Sequence, residues 1–320
     1  MNAATETSET FVAPASAPHP VRPFYWSVRR ELWENRSLMI VPLVVGCLAV
    51  LALLGRVVAH PADFEPLAIV PPEQLRGVVA FLYAAISFGI SFVMHIAVFF
   101  YLLDALQGER KDRSVLFWKS MPVSDTTTVL SKLFTGLIVS GAIVVVVSIA
   151  TIIAVLLVLS GVMLVGGANP LPMWGNLQLL EMIAAVIYWQ MIAVVLWYAP
   201  LAAWLLLVSS WAKRVTILWA VLTPIAVGVV ERVALGTHYV QNMMSYRMND
   251  ATVRAFMGSA RGSQLTIGEE GVRGMPMLSD AFAALDPVAF FSNPWLWVGL
   301  VVAAGFVAAA IWMRRYREPI

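Results

Sequence analysis

The chain is 320 residues long, 60% hydrophobic and only 12% charged, where soluble domains run near ~45–50% and ~25%. That balance excludes an ordinary water-soluble domain and predicts a polytopic membrane protein. The net charge of +2 decides little, no nucleic-acid partner is expected, and a single cysteine, Cys47, rules out an intramolecular disulfide. Cys47 falls inside an apolar run and reads as a small apolar residue rather than a reactive thiol.

Residues 1–22 are rich in Ala, Pro, Ser, Thr and Glu without apolar periodicity, so a disordered tail is expected. No basic stretch precedes an apolar one there, which argues against a signal peptide. Residues 23–37 alternate aromatics with charge. Phe24, Val28, Leu32 and Trp33 can share one face, with Arg29, Arg30, Glu34 and Arg36 largely elsewhere, the pattern of a helix lying in the membrane interface.

About 20 apolar residues cross a bilayer core. Leu38–Val58 meets that length, with Arg56 at its end able to reach headgroups. A short proline-rich polar loop, Ala59–Arg76, leads to a second span at Gly77–Leu103. The third apolar stretch, Leu133–Val165, is roughly 33 residues or about 50 Å, too long for one flat crossing. It must tilt, project or break, with Gly161 or Gly166-Gly167 as its end. A turn at Asn169–Pro172 precedes a fourth overlong stretch, Leu177–Trp211, with Glu181 near its start and Pro200 as a kink. After Lys213 and Arg214 come Val215–Leu235, a polar segment at 236–293, and a last span at Pro294–Met313. The prediction is an all-α membrane protein of six transmembrane helices, residues 38–235 carrying five and 294–320 the sixth with a basic tail.

Basic residues orient such a bundle. The N-terminal segment, the 104–132 loop, the Lys213 gap and the C-terminus together hold 14 of the 21 Lys and Arg, including all four lysines. Both termini and the loop are therefore expected in the cytoplasm, and 236–293 outside.

The 104–132 loop is not composed like a plain linker. Glu109, Arg110, Lys111, Asp112 and Arg113 form a charged cluster, followed by Val115, Leu116, Phe117 and Trp118, then Lys119. Pro122 stops any helix begun near Arg113, and Ser124 or Asp125 can cap the next one. A helix from Arg113 to Met121 places Ser114, Phe117, Trp118 and Met121 along one side, a peg suited to docking on another protein.

The string G-E-R-K-D-R-S-V-L-F-W-K-S-M-P-V-S-D, with Ser131-Lys132 after it, resembles the cytoplasmic loop of ABC-2 type transporter permeases. Pro294–Leu300 through Met313-Arg314-Arg315-Tyr316-Arg317 is similar to their last helix and basic tail. The resemblance implies the transmembrane subunit of an ABC exporter in a bacterial inner membrane. The loop would carry a coupling helix seated on a separate ATPase, which would bind ATP and Mg, with no cofactor in this chain. It further implies a second permease copy, identical or related, an N-terminal helix near the ATPase, and an outer domain or re-entrant helices in 236–293. Under it Phe117 and Trp118 would enter a groove, with Glu109, Arg110, Arg113 and Lys119 at its polar rim and Lys111, Asp112 and Met121 in the same contact. Two other readings are a membrane scaffold or sensor subunit, and an ion-coupled secondary transporter.

No chemistry-bearing motif competes. The sequence contains no G-x-x-x-x-G-K-[ST], no H-E-x-x-H and no G-x-S-x-G, so neither ATP hydrolysis nor another enzymatic activity is expected in this chain. Glu269-Glu270 with Arg273 loosely resembles the glutamates of CAAX-type membrane proteases, but the spacing is off by one and the pair reads as a solvated turn. His95, Tyr188 and Trp189 sit at membrane depth, either packed in the core or lining a translocation route. Glu231-Arg232 ends the fifth span as an outer charge gate or as snorkelling side chains. Asp104 is placed to hold the loop through Arg110 or Lys132. Small-residue spacings, Ala85/Gly89 and Gly136/Ser140, would suit a dimer face. The outer segment is rich in methionine, which suits an adaptable surface or, less simply, thioether capture of copper.

Overall fold

The computed structural model describes residues 23–68, 72–111, 123–247, 266–268, 271–273 and 286–316. Six helices are long and apolar enough to cross a membrane. They are α2 (Ser37–Ala59), α3 (Pro72–Asp104, continued through two turn residues into α4, Gln107–Lys111), α5 (Asp125–Val165), α7 (Leu179–Trp211), α8 (Thr216–Leu235) and α11 (Pro294–Tyr316). Shorter elements are α1 (Pro23–Glu34), a 3₁₀ segment at Pro61–Ala68, α6 (Leu171–Asn176), α9 (residues 239–247) and α10 (Pro287–Phe291). The remaining described structure is a small antiparallel hairpin, β1 (Thr266–Gly268) with β2 (Gly271–Arg273).

Burial, not apolar content, separates inner helices from outer ones: α2 is the second most apolar span yet lies on the outside. In α7 56% of the most apolar window is buried, in α5 50% and in α3 44%, against 11% in α8. Thus α3, α5 and α7 form the centre, α2 packs across α3 and α5, α11 lies along α7, and α8 leans on α7 and α3. Outward faces remain apolar, as with Phe81, Phe88 and Phe92 on α3 and Ile225, Val229 and Val233 on α8, which a lipid environment tolerates and water does not. One core cluster joins Leu38, Met94, Leu102, Val129, Leu206 and Ala310 near one end. A second joins Val79, Ile152, Leu156, Met173 and Leu177 near the other.

The overlong third stretch does not break. It runs 41 residues, roughly 62 Å, and projects at its N-terminal end as the amphipathic turns Asp125–Phe134. Ser124 is the cap, its Oγ accepting from the Thr127 N–H at 3.1 Å. The helix ends at Gly166-Gly167, where Gly167 takes φ 75°, rather than at Gly161. In α7, Pro200 sits inside the helix, but the irregularity lies upstream in a π-helical turn at Tyr188–Val194. A second π-turn, Thr135–Val139, marks where α5 passes from its projecting turns into its apolar length.

Gly136 and Ser140 are not on an outer face. A Cβ at Gly136 would meet the Leu102 side chain at 3.0 Å, so Gly136 makes a close α3–α5 contact within the chain, and Ser140 is buried with its hydroxyl donating to the Gly136 carbonyl at 2.7 Å. Ala85 and Gly89 do face outward or partly so. Arg56 reaches Asp63 at 3.0 Å and closes the exposed turn after α2.

Candidate functional site

At the end where α5 projects, the charged loop emerges from a mount built by four helices. α4 is capped from outside: the N–H groups of Leu106 and Gln107 both donate to Ser209 Oγ of α7, at 2.9 and 3.0 Å. Arg110 Nη1 donates to the Ser210 carbonyl at 2.6 Å, and Thr216 Oγ1 of α8 donates to Gln107 Oε1 at 2.9 Å. These bonds tie the outgoing stem of the loop to the α7–α8 turn.

The returning stem is held by ions. Lys132 Nζ sits 2.7 Å from Glu31 and 3.1 Å from Glu109, with side-chain exposures of 3%, 1% and 10%. Arg314 of α11 contacts Glu109 at 2.6 Å and Asp125 at 3.0 Å. Arg30 of α1 bridges Glu31 and Glu109, at 3.0 and 3.1 Å. Tyr101 Oη donates to Glu31 at 3.0 Å. Burial pulls the Arg30 guanidinium down, yet the carboxylates of Glu31, Glu34 and Glu109 outweigh it and hold it above its ordinary value. Three cations (Arg30, Lys132, Arg314) thus meet the carboxylates of Glu31, Glu109 and Asp125 and, 3.3 Å from Arg30, the exposed one of Glu34, and α1, α4, α5 and α11 lock into one body.

This arrangement corrects part of the sequence reading. Glu109 and Arg110 are not presented at a rim; both turn inward, because the ions and carbonyls that satisfy them lie inside the bundle. Lys132 is taken up by Glu31 and Glu109, while Asp104 is exposed. Lys111 is exposed at the end of α4. Asp112, Arg113, Phe117, Trp118, Lys119 and Met121 lie outside the described residues. Glu31 was missed, although it occupies the stripe of Phe24 and Val28 at helical spacing; a carboxylate on that stripe was the available signal.

A second polar feature lies at membrane depth. Tyr83, Ser87, Ser91 and His95 repeat every four residues on α3, hence on one face. Ser91 Oγ donates to Gln190 Oε1 of the α7 π-turn at 2.9 Å. His95 Nδ1 lies 2.6 Å from the Ser91 carbonyl; a carbonyl only accepts, so Nδ1 carries the proton. The Tyr198 ring stands 5.6 Å from the imidazole. Among the described residues the buried hydroxyls of Tyr83, Ser87, Ser148 and Tyr188 find no hydrogen-bond partner, a costly state in an apolar core. Tyr188 packs edge-on to Phe290, and Trp189 is half-buried beside it. The structure joins His95 to Ser91 and Gln190, two residues the sequence did not single out.

At the opposite end, Glu231 is not arranged as a gate. Its carboxylate accepts from Thr237 Oγ1 at 2.7 Å and from the N–H groups of Tyr239 and Val240 at 2.6 and 2.8 Å. It therefore caps α9, while Arg232 is exposed. Glu231→Ala should free α9: amide exchange at residues 239–247 is expected to rise toward that of an unstructured segment, and unchanged protection would refute the capping role.

Among the described residues no cluster of His, Cys, Asp and Glu has the makings of a metal site. Compared with known proteins, the chain matches no family model, no curated protein and no solved structure.

Proposed function

We propose that this chain is the permease subunit of an ATP-driven exporter of the ABC-2 type, coupled through its 112–122 stretch to a separate ATPase. The observation that carries this reading is the mount. Both stems of one charged, aromatic loop are fastened to the ends of α1, α7, α8 and α11 by bonds buried in a largely apolar chain. A linker needs no such fastening. A handle does, because force applied to a loosely held loop is lost in the loop. The resemblance of the loop string to ABC-2 permeases supports the same reading, with a second copy of the chain or a related permease completing the route.

The experiment is purification of the tagged chain from its host in mild detergent, wild type beside Arg113→Glu/Trp118→Ala. Removing an aromatic anchor and reversing a rim charge should lower the recovered P-loop ATPase and its hydrolysis at least ~10-fold, with the melting temperature of the permease unchanged. Undiminished ATPase recovery would remove the docking claim.

The Ser91–His95–Gln190 group favours one second reading, ion-coupled transport. Proteoliposomes holding the chain alone would then carry a proton flux that His95→Gln abolishes; no flux would dismiss this reading.

A further inference from the structure

On the side of α7 away from α5, the spans α8 and α11 stand apart, and α9 closes one end of the space between them. The result is a half-open cleft of about 250 Å³ whose lining includes Trp204, Pro224, Met243, Met244, Val298 and Phe306. Among the described residues its lining contains a single charged one, Arg247, carried by α9. The guanidinium lies 4.6 Å over the Trp197 ring. Nη1 donates to the Trp197 carbonyl at 2.8 Å, and Nη2 donates to the Trp295 carbonyl. Both acceptors are neutral, and among the described residues no carboxylate forms an ion pair with Arg247. Burial accordingly pulls its pKa below the ordinary value, although an arginine stays charged.

Two features show that this cation is built in. A Cβ on Gly299 of α11 would meet the guanidinium, so glycine there leaves room for Arg247 in its present pose, and a larger residue would push the flexible side-chain tip aside. α9, which delivers it, is capped by the Glu231 carboxylate. The cleft also has a telling length. Its α11 wall runs from Trp295 to Phe306, roughly 16 Å of helix, or about one leaflet of a ~30 Å hydrocarbon core. The cation and Trp295 stand at the end of the helix, where headgroups lie; the apolar wall runs inward from them.

From this geometry we infer that the cleft binds an anionic amphiphile, its acyl chain against α8 and α11 and its carboxylate or phosphate on Arg247. Two of the five guanidinium N–H donors are used by the carbonyls, which leaves donors for an anion. A neutral chain of equal length would fill the same walls but leave the cation without its counter-charge. This inference does not rest on the exporter reading.

The test is photo-crosslinking of the full chain in neutral-lipid nanodiscs with a diazirine-bearing palmitate, followed by peptide mapping. Saturable labelling of α8, α9 and α11 is expected, competed by oleate or lysophosphatidylglycerol but not by oleyl alcohol. Competition by oleate alone would identify a free fatty acid as the ligand, and competition by lysophosphatidylglycerol alone a phospholipid. Arg247→Gln should weaken competition by the anions at least tenfold, Arg247→Lys should retain most of it, and Gly299→Ala, which shifts the guanidinium but keeps its charge, should weaken it less than Arg247→Gln. Melting curves on each variant identify any that fail to fold. Equal competition by oleyl alcohol, or labelling of a folded Arg247→Gln protein that matches wild type, would overturn the inference.

Discussion

Lys132→Met is expected to lower the melting temperature of the detergent-solubilised protein by on the order of 10 °C. Breaking one partner out of a buried ion pair costs ~3–5 kcal/mol, and each kcal/mol moves a large domain by about 2–4 °C. The side chains concerned are 3% and 1% exposed, so water cannot replace the lost ammonium beside Glu31. Arg30 and Arg314 would then face Glu31, Glu34, Glu109 and Asp125, with negative charge in excess. Glu31→Gln should be damaging for the mirror reason, since it leaves Lys132 with Glu109 alone. The double variant Glu31→Gln/Lys132→Met should be less destabilised than the two singles added together, because they share one interaction. Fluorescence melting curves of the four proteins decide this. A Lys132→Met loss below about 1 kcal/mol would place the pair with exposed surface bridges and would deprive the loop of its rigid mount.

Gly46→Leu should displace α2 from the bundle. An ideal Cβ at Gly46 would stand 2.5 Å from Thr151 Oγ1 and 3.2 Å from Val147 Cγ1, and the Thr151 hydroxyl is itself committed to the Val147 carbonyl at 2.7 Å. Only 17% of the most apolar window of α2 is buried, so its seat on α5 depends on close contacts of this kind. Overpacking typically costs ~1–3 kcal/mol, and leucine at a helix crossing belongs at the upper end or beyond. The expected result is loss of the monodisperse peak in size-exclusion chromatography. Gly46→Ala is the milder case, and Thr151→Ala should rescue it by removing the clashing oxygen. A Gly46→Leu protein that elutes and melts like wild type would show that α2 seats elsewhere.

The two variants probe opposite kinds of cohesion. In the apolar length of the bundle, helices are held by shape, since hydrocarbon offers no hydrophobic drive for helices to associate. At the projecting end, the described ion pairs are mutually satisfied within one chain. Lys132, Glu109 and Arg314 belong to α5, α4 and α11 respectively, so a movement of the loop stem moves all three helices or breaks buried bonds. That coupling gives the loop its mechanical interest.

Number, order and approximate ends of the six spans were legible in the sequence, because each is an apolar run whose length must match the bilayer, and charge, proline and glycine mark its limits. The cap of α5 was narrowed to Ser124 or Asp125 and its end to Gly161 or Gly166-Gly167, and the amphipathic α1 was legible, for similar local reasons; the structure chose Ser124 and Gly166-Gly167. Partnerships were not. Glu109 read as a surface charge because its neighbours in sequence are charged, yet its partners are 23, 79 and 205 residues away. Glu231 read as a gate or a snorkelling side chain because it ends a span, yet it caps the next helix. Gly136 and Ser140 fit the small-residue spacing of a dimer contact, and the neighbour that fills the space proved to be Leu102 of the same chain. By itself, then, the sequence determined a six-span helical bundle with a charged loop after the second span. Only the tertiary structure decided that the loop is clamped at both stems, that His95 shares a polar line with Ser91 and Gln190, and that Arg247 stands over an apolar cleft. The reason is physical: hydropathy and capping act within a few residues along the chain, whereas ion pairs, helix crossings and clefts depend on which distant faces meet.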